Sequence, residues 1–273
     1  MNRLLLTSLL SLLTVAAHAY KEETHQDMSQ EALKRSDLQK SEVTLKNMGL
    51  LPISVTESKN EKFPGSDGNP RYIVELIRYG ANFEDSGIRA INHFYNPVNG
   101  AKLSVPLPNY TSPDWALEDN GDASILGYGL QDYSYKDARR YLYNALTQPT
   151  DADRKKNFGL TFQTLGQVIH HLQDMAQPQH VRLDMHLDKG SVEIFGLQFN
   201  PLYNPSYYEI YSNQVRSSFS TLPSYPDLDF VTFTTPRSFW TNTQNKGMAQ
   251  FTNSNFVSAG TNFDKPFCGE AHA

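Results

Sequence analysis

The spacing of apolar and polar positions makes the first two-thirds of the chain helical. Between residues 134 and 146, apolar or aromatic side chains recur at Ala138, Tyr141, Leu142 and Ala145. Between 158 and 175 they recur at Phe162, Leu165, Ile169 and Leu172. Steps of three and four residues place such side chains on one stripe of a 3.6-residue helix. Residues 29–48 and 71–79 follow the same period, 206–217 form a helix after an Asn/Pro-rich loop, and 244–256 carry a weaker pattern. Stretches rich in Pro, Asn and Gly at 64–70, 96–113 and 203–205 read as connections. Alternation with a period of two is absent except for a short-strand candidate at 231–234, and there is no internal repeat. The pattern predicts an all-α fold: a single, mainly helical domain with long loops, its Ser/Thr/Asn/Phe-rich tail after Leu222 wrapping the helices.

Residues 1–19 form a separate segment. Arg3 precedes an apolar run from Leu4 to Val15, and Ala17-His18-Ala19 is a small-x-small cleavage site. This is the pattern of a secretory leader. The expected mature chain begins at Tyr20, forms one domain over 20–273 and is secreted or periplasmic. The leader's apolar run is too short to span a bilayer, and no later stretch is apolar enough, so no transmembrane segment is expected in the mature chain.

Charge narrows the choice of partners. The chain has 24 Lys and Arg against 29 Asp and Glu, a formal charge of −5. Losing Arg3 makes the mature chain more negative by one. A protein held to nucleic acid mainly by basic charge is thereby disfavoured, and no stable nucleic-acid partner is expected. Cys268 is the only cysteine, so export brings no intramolecular disulfide. A chain of this size can bury enough core without one.

Chemistry concentrates in the run Gly166-Gln-Val-Ile-His-His-Leu-Gln-Asp-Met-Ala-Gln-Pro-Gln-His180. His170 and Asp174 are four apart and share one helix face, where they could close on one cation. Pro178 should end the helix near 175–177 and leave His180 on the turn beyond. Imidazole nitrogen with carboxylate oxygen suits zinc. An i, i+4 His–Asp pair alone is equally a surface contact worth a few tenths of a kcal/mol. The remaining histidines strengthen the metal reading. His25 is six residues into the expected mature chain, where the free amine and carbonyl of Tyr20 could ligate beside it. Asp85 and His93 are eight residues apart with Gly87 between them, a spacing that fits two ligands converging from a bend, with Glu84 competing for the role of Asp85 and core packing beside Phe94 and Tyr95 the alternative for His93. His186 follows His180, and Glu209 on the next helix could complete a further site.

With these residues assembled, the chain resembles the zinc-dependent phospholipase C superfamily, which also contains the single-strand-specific zinc nucleases. The resemblance runs from Tyr20 to about Glu209 and rests on His170-x3-Asp174-x5-His180 with its proline, and on the processed N-terminus near His25. It implies a mainly helical domain holding up to three zinc ions. One ion would take Asp85, His93, His170 and Asp174. A second would take Tyr20, His25 and a bridging Asp174, and a third His180, His186 and Glu209. Tyr20 departs from the Trp typical of the family, and Pro205 stands where a histidine usually precedes the acid of the third site, so His186 or a water must substitute. His171 is left to packing or to orienting a ligand.

The implied reaction is hydrolysis of a phosphate ester by metal-activated water, with Asp85 and Asp174 as the catalytic carboxylates and Glu23 an alternative for orienting water. The later acid being Glu and the absence of paired cysteines favour a phospholipid substrate at a membrane surface. A single-strand-type nuclease and a non-catalytic zinc-binding member of the fold are the alternatives. Aromatics at Phe94, Tyr95, Tyr203, Tyr207, Tyr208 and Tyr211 could line a lipid or choline pocket, stack bases, or belong to the core.

Overall fold

The computed structural model describes residues 22–36, 61–125, 129–186, 192–194, 197–199, 206–222 and 233–258. Residues 1–19, read above as a leader, together with Tyr20, Tyr203, Pro205, Cys268, residues 37–48 of the 29–48 expectation and residues 231–232 of the strand candidate lie outside them. The chain is mainly α-helical, as the periodicity implies. Its helices are α1 (Glu22–Arg35), α2 (Ile73–Glu84), α3 (Ser112–Leu117), α4 (Tyr135–Thr147), α5 (Asp151–Asp174), α6 (Pro178–Arg182), α7 (Tyr207–Val215) and α8 (Met248–Asn255). The described strands form three two-stranded antiparallel ribbons: β1 (Phe63–Pro64) with β2 (Pro70–Arg71), β3 (Ser124–Ile125) with β4 (Gly129–Leu130), and β5 (Val192–Ile194) with β6 (Leu197–Phe199). Phe233 and Thr234 are not in a strand. Among the described residues no helix is long and apolar enough to cross a membrane.

Helix α5 is the axis of the fold, packed against α2 on one flank and α4 on another, with α1 lying on α2. It starts seven residues before its apolar period does. Thr150 caps it by accepting from the Asp153 backbone N–H at 3.1 Å, and Asp151 and Asp153 complement the positive helix start. Helix α4 opens with a reciprocal box: Ser134 Oγ accepts from Asp137 N, and Asp137 accepts from Ser134 N, both at 3.1 Å. Helix α1 likewise begins earlier than expected, at Glu22, and so includes His25.

Which face of α5 turns inward is not what its apolar stripe suggests. Leu165, Ile169 and Leu172 are only half-buried, packed against two apolar clusters, one around Leu76, Ile77 and Phe162 and one around Met175, Val181 and Trp240. The deepest positions are polar: Gln163, Gln167, His170, His171 and Asp174 are all buried. A buried polar seam along the central helix demands partners.

Candidate metal centre

The seam meets α2 at a close helix crossing. A Cβ on Gly80 would fall 1.9 Å from the Gln163 carbonyl oxygen, and one on Gly166 would fall 2.1 Å from that of Ile77. Only glycine permits backbones this near. At this spacing His170 Nδ1 donates to the Ala81 carbonyl at 2.7 Å, and the end of α2 with the turn beyond it delivers Asp85 and His93 opposite Asp174.

Four imidazoles surround the Asp174 carboxylate. His93 Nδ1 lies 3.0 Å and His170 Nε2 3.2 Å from Oδ2, His25 Nε2 3.4 Å from Oδ1, and His180 Nδ1 3.8 Å from Oδ2. Asp85 Oδ1 is 3.6 Å from both His93 Nδ1 and His170 Nε2, and Asp85 Oδ2 is 3.9 Å from His25 Nε2. The His25 ring stacks on that of His170, with centroids 3.7 Å apart. Two overlapping triads result, His25–His170–Asp174 and Asp85–His93–His170, each with its ligand atoms within 4.8 Å of one another.

A third triad joins His180, His186 and Glu209. Helix α5 ends at Asp174, as Pro178 dictates, but His180 is not on an open turn. Pro178 occupies the first turn of a new helix, α6, capped by Gln177. His180 is held from both sides: its Nδ1 donates to the His93 carbonyl at 3.0 Å, its own carbonyl accepts from Tyr95 N at 3.1 Å, and the Phe94 ring stacks on it at 4.4 Å. Leu183, at φ 59° in the left-handed region, closes α6 and turns the chain back. A branched side chain is seldom found there, and such outliers cluster at functional sites. The turn brings His186 Nε2 to 2.5 Å from Glu209 Oε1.

Outer partners orient the ring nitrogens. Carbonyl oxygens can only accept, so the Nδ1 atoms of His170, His180 and His186 carry protons toward Ala81, His93 and Asp184, and His25 Nδ1 donates to Gln173 Oε1 at 2.7 Å. In His25, His170 and His180 this leaves Nε2 as the lone pair, which is how metal-binding histidines are prepared, while His186 Nε2 faces Glu209. Burial pulls His25, His93 and His180 below the usual histidine range, keeping them in the neutral, ligating form. Burial also pushes Asp174 up to about 6 and Glu209 up to about 7. His186 is drawn down by burial, but the adjacent Glu209 outweighs this and raises it, so the pair shares a proton. Neither Asp174 oxygen, nor His180 Nε2, has a hydrogen-bond partner among the described residues. Imidazoles packed around buried carboxylates, with no Lys or Arg among the described residues at Asp174 or Glu209, form an arrangement that a cation would complete. These buried His, Asp and Glu groups could hold metal ions.

No protein-family model matches the chain, and no curated protein or solved structure matches it. Geometry alone therefore decides among the candidate residues. Glu84 competes with Asp85 on sequence, and its oxygens also approach His93 and His171. Yet Glu84 is saturated: Trp115 Nε1 donates to it at 2.8 Å, Arg89 at 2.6 and 3.0 Å, and His171 Nε2 lies at 3.0 Å. Burial raises its pKa, but Arg89 and His171 more than reverse this and hold it ionised. Glu84 is thus a structural anion and His171 its partner, whereas Asp85 faces the imidazoles. Glu23 is exposed on α1 beside Arg216, away from the centre, which removes it as a water-orienting acid. Phe94 is fully buried beneath His180 rather than lining a pocket, and Tyr95 packs in the core. Tyr207, Tyr208 and Tyr211 are exposed on α7. Tyr20 and Pro205 lie outside the described residues. Sequence reasoning missed Gln173, Gln177 and Arg89, since glutamine and arginine, unlike histidine and the acids, carry no metal-ligand spacing signal.

Proposed function

We propose that the chain is an exported zinc-dependent phosphoric-ester hydrolase acting on phospholipids as a phospholipase C. The observation that carries the reading is the buried Asp174 carboxylate, which lies within 3.0–3.8 Å of imidazole nitrogens belonging to all three triads: His25, His93, His170 and His180. Imidazole and carboxylate ligands in these proportions suit zinc over magnesium or calcium, which prefer all-oxygen sites. His25 and Asp174, with Tyr20, would hold one ion, the single free nitrogen of His170 going to the other. Asp85, His93, His170 and Asp174 would hold a second, and His180, His186 and Glu209 a third. Bound zinc would lower the pKa of a coordinated water and polarise phosphoryl oxygens. The protein's own contribution is to fix the neutral tautomers, to supply two acids of unequal environment, and to exclude bulk water. Asp174 is the shared ligand. Asp85, the other acid against the histidines, would be the group to accept a proton from the attacking water.

A phospholipid is supported by the surface beside the third triad. Helix α7 carries Glu209 inward and Tyr207 and Tyr211 outward, 79% and 62% exposed. These tyrosines lie on the face of α7 opposite Glu209, and exposed aromatic rings of this kind suit contact with a headgroup interface. The test is release of phosphocholine from phosphatidylcholine by zinc-loaded protein, run beside nucleotide release from single-stranded DNA, each with and without chelator. Chelator-sensitive lipid cleavage alone is expected. DNA cleavage alone would make the chain a nuclease, and zinc binding without either activity would leave a non-catalytic scaffold.

A further inference from the structure

The third triad is assembled from three separate pieces of chain: His180 on α6, His186 beyond the Leu183 turn, and Glu209 on α7. One side chain bridges them. Gln177, fully buried, donates from Nε2 to Glu209 Oε1 at 2.8 Å and lies 3.1 Å from Ser206 Oγ, the cap of α7. Its Oε1 accepts from the Gln179 backbone N–H, capping α6. Its own backbone N–H donates to the Asp174 carbonyl at 2.9 Å, and its carbonyl accepts from His180 N at 3.2 Å. The amide cannot be reversed, because an exchange would set oxygen against the Glu209 carboxylate and NH2 against a backbone N–H.

We propose that Gln177 is the positioning residue of the third metal site, fixing Glu209 against His180 and His186 while tying that site to the end of α5. The proposal rests on the metal reading above. Gln173, one helical turn earlier, does the equivalent for a different site: its Oε1 receives His25 Nδ1–H at 2.7 Å and its Nε2 donates to Ser29 Oγ at 3.0 Å. The two glutamines therefore act on different ions, and their effects should separate.

Gln177→Asn tests this. Asn is a better helix cap than Gln, so α6 keeps its start, but the side chain is one methylene too short to reach Glu209. Gln177→Glu keeps an acceptor for Gln179 N and sets a carboxylate against Glu209. Zinc alone is the probe, and the readouts are bound zinc per chain after dialysis and zinc affinity by calorimetry on the full chain. Both variants should lose one ion relative to wild type, with that step weakened roughly 10–100-fold, while Gln173→Asn loses a different ion. Melting of the metal-free proteins serves as the folding control. Wild-type stoichiometry and affinity in Gln177→Asn would overturn the proposal, as would loss of the same ion in the Gln173 and Gln177 variants. A wild-type chain that binds no zinc would instead refute the metal reading itself.

Discussion

Replacing Asp174 by Asn should make the metal-free protein more stable and the metal-loaded protein worse. The substitution keeps the shape and removes the charge. Burial lifts the Asp174 carboxyl from an ordinary 3.8 to about 6. A carboxyl raised on folding binds its proton more tightly in the folded state, so its ionisation opposes folding. The penalty is absent below the unfolded value near 4, grows between the two values, and is complete above about 6. Two pKa units at about 1.4 kcal/mol each correspond to roughly 3 kcal/mol at pH 8. His25, His93 and His180, three of the four imidazoles around it, are held neutral by burial, so removing the carboxylate leaves none of these three as an unpaired cation. For a chain of this size the gain is on the order of 6–12 °C in Tm. Zinc should reverse the order, because Asn supplies a far weaker ligand to two ions at once, and affinity should fall by more than the roughly 10–100-fold of an outer-partner change. Calorimetric melting of both proteins at pH 4 and pH 8, with chelator and with zinc, provides the four comparisons. A metal-free Asp174→Asn protein less stable than wild type at pH 8, or one that keeps wild-type zinc affinity, would refute the reasoning.

Three further outcomes follow from the same wiring. His186→Ala should remove one ion and leave the Asp174-centred pair, a smaller loss of metal and activity than Asp174→Asn, and equal losses in zinc content would sink the shared-ligand assignment. Glu84→Gln breaks a buried contact with Arg89 and should destabilise by roughly 3–5 kcal/mol in chemical denaturation with zinc stoichiometry unchanged, whereas Asp85→Asn should lower stoichiometry. The rise in Tm on adding zinc should be small at pH 5, grow through pH 6 and 7, and level off near 8. Metal must displace the protons that Asp174 and Glu209 hold up to about 6 and about 7, while the lowered histidines are equally neutral in both folded forms and cancel. A gain independent of pH would count against both carboxylates as ligands.

Six of the eight described helices are legible from periodicity, two of them beginning early, whereas α3 and α6, at six and five residues, are too short to show a period, and α3 starts inside a stretch read as a connection. Helix α5 starts at Asp151 because Thr150 and two acids supply a start signal that hydrophobic spacing cannot register. The histidines and acids that converge were also visible, because i, i+4 spacing on a helix and a proline break have fixed geometric consequences. The choice of Asp85 over Glu84 was not. Adjacent acids at a helix end are indistinguishable until Trp115, Arg89 and His171, which reach Glu84 from distant positions, are seen to saturate it. Nor could the apolar stripe reveal the buried face of α5, where five polar side chains lie deeper than Leu165 or Ile169.

That inversion explains why the three triads should not be equally robust. The two around Asp174 are built by helix on helix, with Gly80 and Gly166 letting the α2 and α5 backbones meet, so their ligands move only if the core moves. The third depends on a five-residue helix, a left-handed Leu183 and the start of α7, joined through a single glutamine amide. Short elements open locally at lower free energy than core helices. An ion bound there would be the one most easily exchanged, and progressive chelation should strip it first. The shared carboxylate then makes the remaining pair leave together, since losing either ion returns to Asp174 the desolvated charge that the other alone must neutralise.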